Sequence, residues 1–240
     1  MGLNHGWRGP NIVRDGLVLY LDAGSPNSYQ GSGTTWKDIS KFYQNNGTLV
    51  NGPTFSSGNG GSIVFDGVND YVNCGNGSSI NIVNNVSVNI WFKINSFGGY
   101  QGIIAKRNFS TGFTNYGINF NNSIDALSVY FNTDGGSNFK FASTTMTNNF
   151  TTNIWYNVCG VFEKSSSNTN IYIYKNGILL TSNTVSGNLA TVSTPLTLGS
   201  SAINAELFNG NIAVGQIYNR ALSASEVQQN YNATKGRFGL

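Results

Sequence analysis

A chain of 240 residues with 10% charged and 13% aromatic residues, 30 glycines and four prolines is long enough to bury a core and too aromatic for a disordered polymer. Its net charge of +3 is thinly spread, with Lys106–Arg107 the densest basic pair, which argues against nucleic acid as a partner. No apolar run approaches the roughly 18 residues of a membrane-crossing helix, so no membrane insertion is expected.

Two cysteines, Cys74 and Cys159, cannot make a disulfide framework. They either pair once or stay free as small buried hydrophobes. Abundant Gly, Asn, Ser and Thr beside many Tyr and Phe is the composition of short strands joined by turns.

Residues 1–14 have no apolar period and read as an extended arm in which Trp7 and Arg8 are candidate anchors on a partner. A frayed end, or a segment packed on its own domain, fits equally well. In Gly16 to Gly24, Leu17, Leu19 and Leu21 share one face and Val18 and Tyr20 the other. A strand apolar on both faces implies burial on both sides, or an added layer over one. Polar loops follow over residues 25–62, with a short strand expected at Gly47 to Val50.

Gly60 to Cys74 reads as strand, tight turn, strand. Ile63 and Phe65 alternate with Ser62, Val64 and Asp66, and Gly67-Val68-Asn69-Asp70 turns the chain into Tyr71-Val72. Alternation broken by Gly, Asn and Asp is the signal of a hairpin. In Ser87 to Asn95, Val88, Ile90, Phe92 and Ile94 alternate with Ser87, Asn89, Trp91 and Lys93, the pattern of a half-buried strand. Strands are expected again at 102–107, 116–120 and 126–133.

Trp155 to Glu163 is a two-sided strand. Ile171 to Leu180 is a hairpin turning on Asn176-Gly177, since both central positions of a type I′ turn need positive φ. Residues 195–200 and 211–219 supply the last two strands. With turns throughout and no long helical period, the class is all-β, a sandwich with one short C-terminal helix. Ser223 with Glu226 three residues on forms a capping box. Leu222 and Val227 can staple it, which places a helix from near Ala224 to about Asn232. Residues 235–240 run on as a tail, so the division is an arm (1–14), one sandwich domain (15–234) and the tail.

The segments GLVLYLDAG, FDGVNDYV, VNIWFKI, WYNVCGVF, IYIYKNGILL, PLTLGS and GNIAVGQIYNRALSASEV occur in that order. Together they resemble the laminin-G-like, concanavalin-A-like jelly-roll superfamily over roughly residues 16–232. The resemblance implies a two-sheet antiparallel jelly roll with loops gathered at one rim, where relatives often bind calcium and carbohydrate.

The opening NIVRDGLVLYLDAGSPNSY, the loop GSGTTWKD and the ending NRALSASEVQQNYNATKGRFGL are similar to versions found in structural proteins of tailed bacteriophages. No apolar secretory segment follows Met1, and a phage setting accounts for an extracellular-looking composition without one. The resemblance thus implies a non-catalytic virion protein: a capsid decoration, head fibre or tail-associated subunit. Its expected partners are other virion proteins, host-surface polysaccharide and copies of itself. The alternative is a calcium-dependent lectin module.

Glucanases of this fold carry alternating acids on one strand, because retaining cleavage needs two carboxyls about 5 Å apart. This chain has three glutamates, Glu163, Glu206 and Glu226, and none has another acid within three residues. Its one histidine, His5, lies in the arm, and neither a phosphate loop nor a Cys/His cluster is present. No catalytic residue is expected.

Calcium needs six to eight oxygens, and Asp22, Asp38 and Asp70 are the candidates for a rim site. Where relatives commonly pair acids, the matching positions here are Ala213 and Val214. Sugar rings stack on aromatic faces, and Trp91, Tyr100, Tyr116 and Tyr130 are the candidates, Trp91 and Tyr130 because they lie opposite apolar strand faces. Tyr172 and Tyr174 have the same placement. Outward aromatics also make cross-strand pairs and subunit contacts. Trp7, Arg8, Phe238 and Leu240 are the candidate docking residues of the two ends.

Overall fold

The computed structural model describes residues 10–42 and 44–240; Trp7 and Arg8 fall outside them. Two antiparallel sheets of eight strands each form a sandwich. Numbered along the chain, the first sheet holds β1 (Leu17–Asp22), β4 (Thr54–Ser56), β5 (Ser62–Asp66), β7 (Val86–Ile94), β12 (Trp155–Ser165), β13 (Asn168–Lys175), β14 (Ile178–Ser186) and β16 (Asn209–Tyr218). The second holds β2 (Thr35–Trp36), β3 (Gly47–Val50), β6 (Tyr71–Asn73), β8 (Tyr100–Arg107), β9 (Thr114–Asn121), β10 (Ala126–Asn132), β11 (Lys140–Thr145) and β15 (Leu196–Leu198). A single helical turn, α1 (Met146–Asn149), follows β11, and α2 (Ala224–Thr234) closes the chain.

Across the first sheet the order is β14-β13-β12-β7-β16-β5-β4, with β1 also paired to β16; across the second it is β11-β10-β9-β8-β15-β6-β3-β2. Between them lies the main core, in which Ile90 and Phe92 from one sheet meet Ile118, Phe120 and Val129 from the other. The jelly-roll class, the β13–β14 hairpin and the terminal helix follow the sequence closely. Asn176 and Gly177 sit at φ +52° and +79°, as the two-residue turn demands.

Residues 60–74 are not a hairpin. β5 pairs with β4 and β16, while β6 pairs with β3 and β15 in the opposite sheet. The turn is therefore an arch that carries the chain from one layer to the other. Its residues bond to one another instead of extending a ladder: Asp66 Oδ1 accepts from the Val68 and Asn69 amides, and Asp70 Oδ2 from the Asp66 amide. Ile63, Phe65 and Val72 then enter the same core from its two sides. A period of two reports which face is apolar, and it is silent on which strand lies alongside.

The outer face of the first sheet is also covered. Here Trp91, Tyr20, Cys159, Ala213 and Tyr218 form a second apolar cluster with Val227 of α2, Ile12, Val13 and Phe238. Ser223 and Glu226 form the reciprocal capping box, and Arg220 clamps Glu226 with an Nη2–Oε1 distance of 2.6 Å. The Arg220 hydrogen bond is the main reason the Glu226 carboxyl falls to about 2. Residues 10–14 lie on the helix: the Val13 amide donates to Asn230 Oδ1 at 2.8 Å, and Gln229 Nε2 to the Asn11 carbonyl at 2.7 Å. Thus the described end of the arm packs on its own domain.

Residues 235–238 form a 3-10 turn that folds back rather than a free tail. Phe238 is buried and stacks on Trp91 at 4.1 Å, so it is committed inside the fold and is not a docking residue. Leu240 is half exposed. Cys74 and Cys159 are both free and buried in different clusters.

Lys106 is a cation buried without a counter-charge among the described residues. It is fully enclosed, its Nζ donating to Asn76 Oδ1 and the Thr194 carbonyl. Desolvation lowers its pKa to about 8. Between that value and its unfolded value of about 10.4 the unfolded chain binds the extra proton at this site, so the Lys106 contribution to stability rises with pH, by at most about 1.4 kcal/mol per unit. Above about pH 10 the buried tyrosines reverse the slope, because burial raises Tyr116 and Tyr218 in the folded state. Burial also raises the Cys74 and Cys159 thiols, and their ionisation in the unfolded chain opposes this gain from about pH 8.5. Urea melts at pH 8.0 and 9.5 should therefore show the stability of the native protein relative to Lys106→Met rising with pH.

Candidate carbohydrate-binding site

The outer face of the second sheet carries a concavity of about 390 Å³. Strand alternation builds it. Leu127, Val129 and Phe131 of β10 point into the core, which turns Ser128 and Tyr130 outward; Ile118 and Phe120 of β9 do the same for Asn119 and Asn121. Ladder pairing sets Ser128 beside Asn119, Tyr130 beside Gly117 and Tyr100 beside Asn121. The Tyr130 ring lies down over Gly117, where a Cβ would come within 2.7 Å of it. Phe139 and Phe141 raise one wall, and Tyr100, 45% exposed, stands at the edge.

Arg107 and Glu206 close the concavity on a further side, with Nη1 2.9 Å from Oε2 and both side chains mostly buried. The guanidinium is held between aromatic rings, with Cζ 5.0 Å from the Phe109 centroid and 4.9 Å from that of Phe139. Glu206 occupies the left-handed region at φ +53°, a conformation that costs a non-glycine residue free energy and recurs at ligand sites. Its carbonyl accepts the Gly102 amide at 2.6 Å, which ties the 199–206 loop to β8.

The floor is unusual in its unpaired polar atoms. Among the described residues Asn119 Oδ1 is buried without a hydrogen-bond partner, and the buried Tyr130 hydroxyl, Arg107 Nε and Ser201 Oγ meet no well-aligned one, the hydroxyl resting against the Arg107 and Ser201 side chains. The Tyr130 hydroxyl sits among Arg107, Glu206 and Ser201, and burial pushes its pKa up to about 12, so it remains a neutral donor and acceptor. Buried polar groups are nearly always paired. The under-satisfied polar atoms of Asn119, Tyr130 and Arg107 beside one aromatic-walled concavity are suited to a ligand rich in hydroxyls.

The structure brings Tyr100 and Tyr130 to this one site and places the other two aromatic candidates elsewhere. Trp91 is fully buried beneath α2 and cannot offer a face to a sugar: it stacks between Phe238 and Tyr231, and its Nε1 donates to Thr234 Oγ1 at 2.8 Å. Tyr116 points to the opposite face of its sheet, into the core, with its hydroxyl donating to the Ile80 carbonyl at 2.8 Å. Tyr174 is buried in the cluster below α2, and the Tyr172 hydroxyl donates to Glu163. Arg107, Asn119 and Glu206 escaped the sequence reading. Asn119 was within reach of it, being opposite the apolar face of β9; the Arg107–Glu206 pair spans too much chain to be foreseen.

The three aspartates do not assemble a calcium site. Asp22 is ion-paired with Arg237 and accepts the Gly24 amide. Asp38 accepts the amides of Tyr20, Ser40 and Asn45, which commits both its oxygens to loop structure. Asp70 is buried in the arch, where desolvation raises its pKa and its Oδ2 accepts the Asp66 amide. Among the described residues no three His, Cys, Asp or Glu side chains are gathered for a metal, and Ala213 and Val214 lie in the apolar cluster below α2.

Solved structures of similar fold include the binding domain of Paraclostridial Mosquitocidal Protein 1, at TM-score 0.68 and 18% identity over 92% of this chain and 52% of that one. Domain 4 of AbnA, an extracellular arabinanase from Geobacillus stearothermophilus, in complex with arabinotriose, aligns at TM-score 0.66 and 17% identity over 90% of this chain and 98% of that one. The ligand binding domain of botulinum neurotoxin serotype D, in complex with N-acetylneuraminic acid, aligns at 0.67 and 15% over 91% and 51%. The chain spans about half the length of the two toxin structures. None of these three is a phage protein, and identities this low establish the fold alone. No curated protein matches the sequence. A sequence model of the concanavalin A-like lectin/glucanases superfamily matches residues 66–228, well over half of the chain, from the arch through β16 into α2. Fold and sequence agree, and the chain belongs to the concanavalin A-like lectin/glucanases superfamily.

Proposed function

We propose that this protein is a non-catalytic carbohydrate-binding domain that seats a short glycan in the concavity on the outer face of the second sheet. The observation that carries this reading is the group of under-satisfied polar atoms on Asn119, Tyr130 and Arg107 beneath an aromatic wall. A sugar presents apolar C–H faces and hydroxyls that both donate and accept, and the wall and floor complement those two features. The arabinotriose and N-acetylneuraminic acid complexes of similarly folded domains lend support. Glu206 is the one acid in the lining and is tied to Arg107, whereas glycoside cleavage calls for two carboxyls.

Glycan-array screening followed by calorimetry tests the reading. Tyr100→Ala and Asn119→Ala are each expected to weaken the best array ligand at least tenfold, about 1.4 kcal/mol, with melting temperature nearly unchanged for the exposed Tyr100. Full-strength binding by both variants would place the site elsewhere. Binding should survive chelation, because Asp22, Asp38 and Asp70 are each engaged within the fold; loss of binding in chelator would favour the calcium-dependent lectin.

The setting we propose is the surface of a bacteriophage particle, with the domain attached to other virion proteins and its concavity turned toward host polysaccharide. The support is the likeness of the opening, the GSGTTWKD loop and the closing segment to phage structural proteins. Antibody labelling of intact particles checks it: unlabelled particles from a producing culture would remove the virion assignment and leave the carbohydrate reading standing.

A further inference from the structure

We infer that Glu206 restricts the concavity to uncharged sugars, by occupying the one cation that would otherwise recognise a sugar carboxylate. This rests on the carbohydrate reading of the same site. Of the residues that line it, only Arg107 and Glu206 carry charge, and they cancel each other at 2.9 Å with side chains 11% and 15% exposed. A free arginine fork is the usual partner of a carboxylate, which it holds through paired N–H donors. Here the fork is engaged by Glu206 through Nη1 and packed between Phe109 and Phe139. An incoming uronate or sialate would bring a second negative charge against Glu206 in a largely desolvated place, and like charges there repel strongly.

What remains open suits hydroxyls. Among the described residues Asn119 Oδ1 is an acceptor without a partner, and the Tyr130 hydroxyl, resting against Arg107 and Ser201, can donate or accept. A sugar hydroxyl can donate to the first and exchange either kind of bond with the second. The strained backbone at Glu206, held by the Gly102 amide, fixes the carboxylate where it blocks the fork.

The experiment compares the full chain with Glu206→Gln on an array of neutral, uronate-terminated and sialate-terminated oligosaccharides. Calorimetry on the best of each class then follows, at low and high salt. The native protein is expected to favour neutral over acidic ligands at least tenfold. In E206Q that ratio should shift at least tenfold toward the acidic ligands, and the gained binding should weaken with salt. Should E206Q melt below the assay temperature, the double variant Arg107→Met/Glu206→Met removes both charges without stranding either and is expected to discriminate no more than threefold.

Preference of the native protein for acidic glycans, or an unchanged ratio in both variants, overturns the role of Glu206 while the carbohydrate reading stands. A native protein that binds neither class overturns that reading, and this inference with it.

Discussion

Trp91→Ala is expected to cost about 3–5 kcal/mol of stability, the range for emptying a large aromatic site from a packed interior, and to lower the melting temperature by about 10 °C. Trp91 is fully buried with Phe238 stacked 4.1 Å away, Tyr231 at 5.7 Å and its Nε1 bonded to Thr234. The truncation removes the platform on which α2 and the last 3-10 turn rest. It also strands Trp155, whose ring lies 4.8 Å from Phe238. Deleting residues 235–240 should reproduce part of the loss, because Phe238 goes and so does Arg237, which reaches Asp22 and the Asn59 and Gly61 carbonyls.

A particle-incorporation defect in that deletion would therefore reflect misfolding before it reflected a lost docking arm. Thermal melts of the three proteins decide the matter. A Trp91→Ala protein that melts within 2 °C of native would show that the outer cluster contributes little. Glycan binding at a temperature where the variant is folded should persist, since Trp91 and the concavity belong to different sheets.

Gly102→Ala should damage both stability and binding. A Cβ at Gly102 would lie 2.0 Å from the Ser201 amide nitrogen and 2.3 Å from the Ser200 carbonyl carbon. Those are backbone atoms, so the 199–206 loop itself must retreat from β8. Overpacking of this kind costs about 1–3 kcal/mol. The same retreat breaks the Gly102 amide to Glu206 carbonyl bond and moves Glu206 and Ser201 away from Tyr130 and Arg107.

Glycan affinity is expected to fall at least tenfold, and the preference for neutral sugars should narrow in parallel. That coupled change separates loop displacement from simple destabilisation, which would leave the preference of the surviving folded fraction intact. A melt alone cannot make the distinction; calorimetry on two ligand classes can.

The fold was legible wherever local chemistry and periodicity act alone. Asn176-Gly177 can hardly be anything but a two-residue turn, and Ser223 with Glu226 caps a helix through bonds among near neighbours. β2, β4 and β11 were not legible. Each is short or mostly polar, and it becomes a strand because a neighbour offers a ladder, as β10 does for β11. At the candidate site, the outward positions Tyr130 and Asn119 follow from alternation, but their convergence with Glu206 depends on a loop brought across β8 at Gly102. That contact leaves no trace in either segment.

The stretch around Trp91 shows where the division lies. Alternation along the chain is enough to turn Val88, Ile90, Phe92 and Ile94 one way and Ser87, Asn89, Trp91 and Lys93 the other, because the pleat forces alternate side chains apart. The order of residues likewise carries the antiparallel sandwich, the capped helix and the absence of an alternating-acid strand. What lies over the second face depends on long-range packing. α2 and the turn after it settle there, so Trp91 becomes a core residue instead of a sugar platform. Likewise residues 60–74 bridge two sheets instead of pairing with each other. Periodicity encodes the polarity of a face; the cover over that face and the partner of each strand are set by segments up to two hundred residues away along the chain, whose meeting is decided by packing alone.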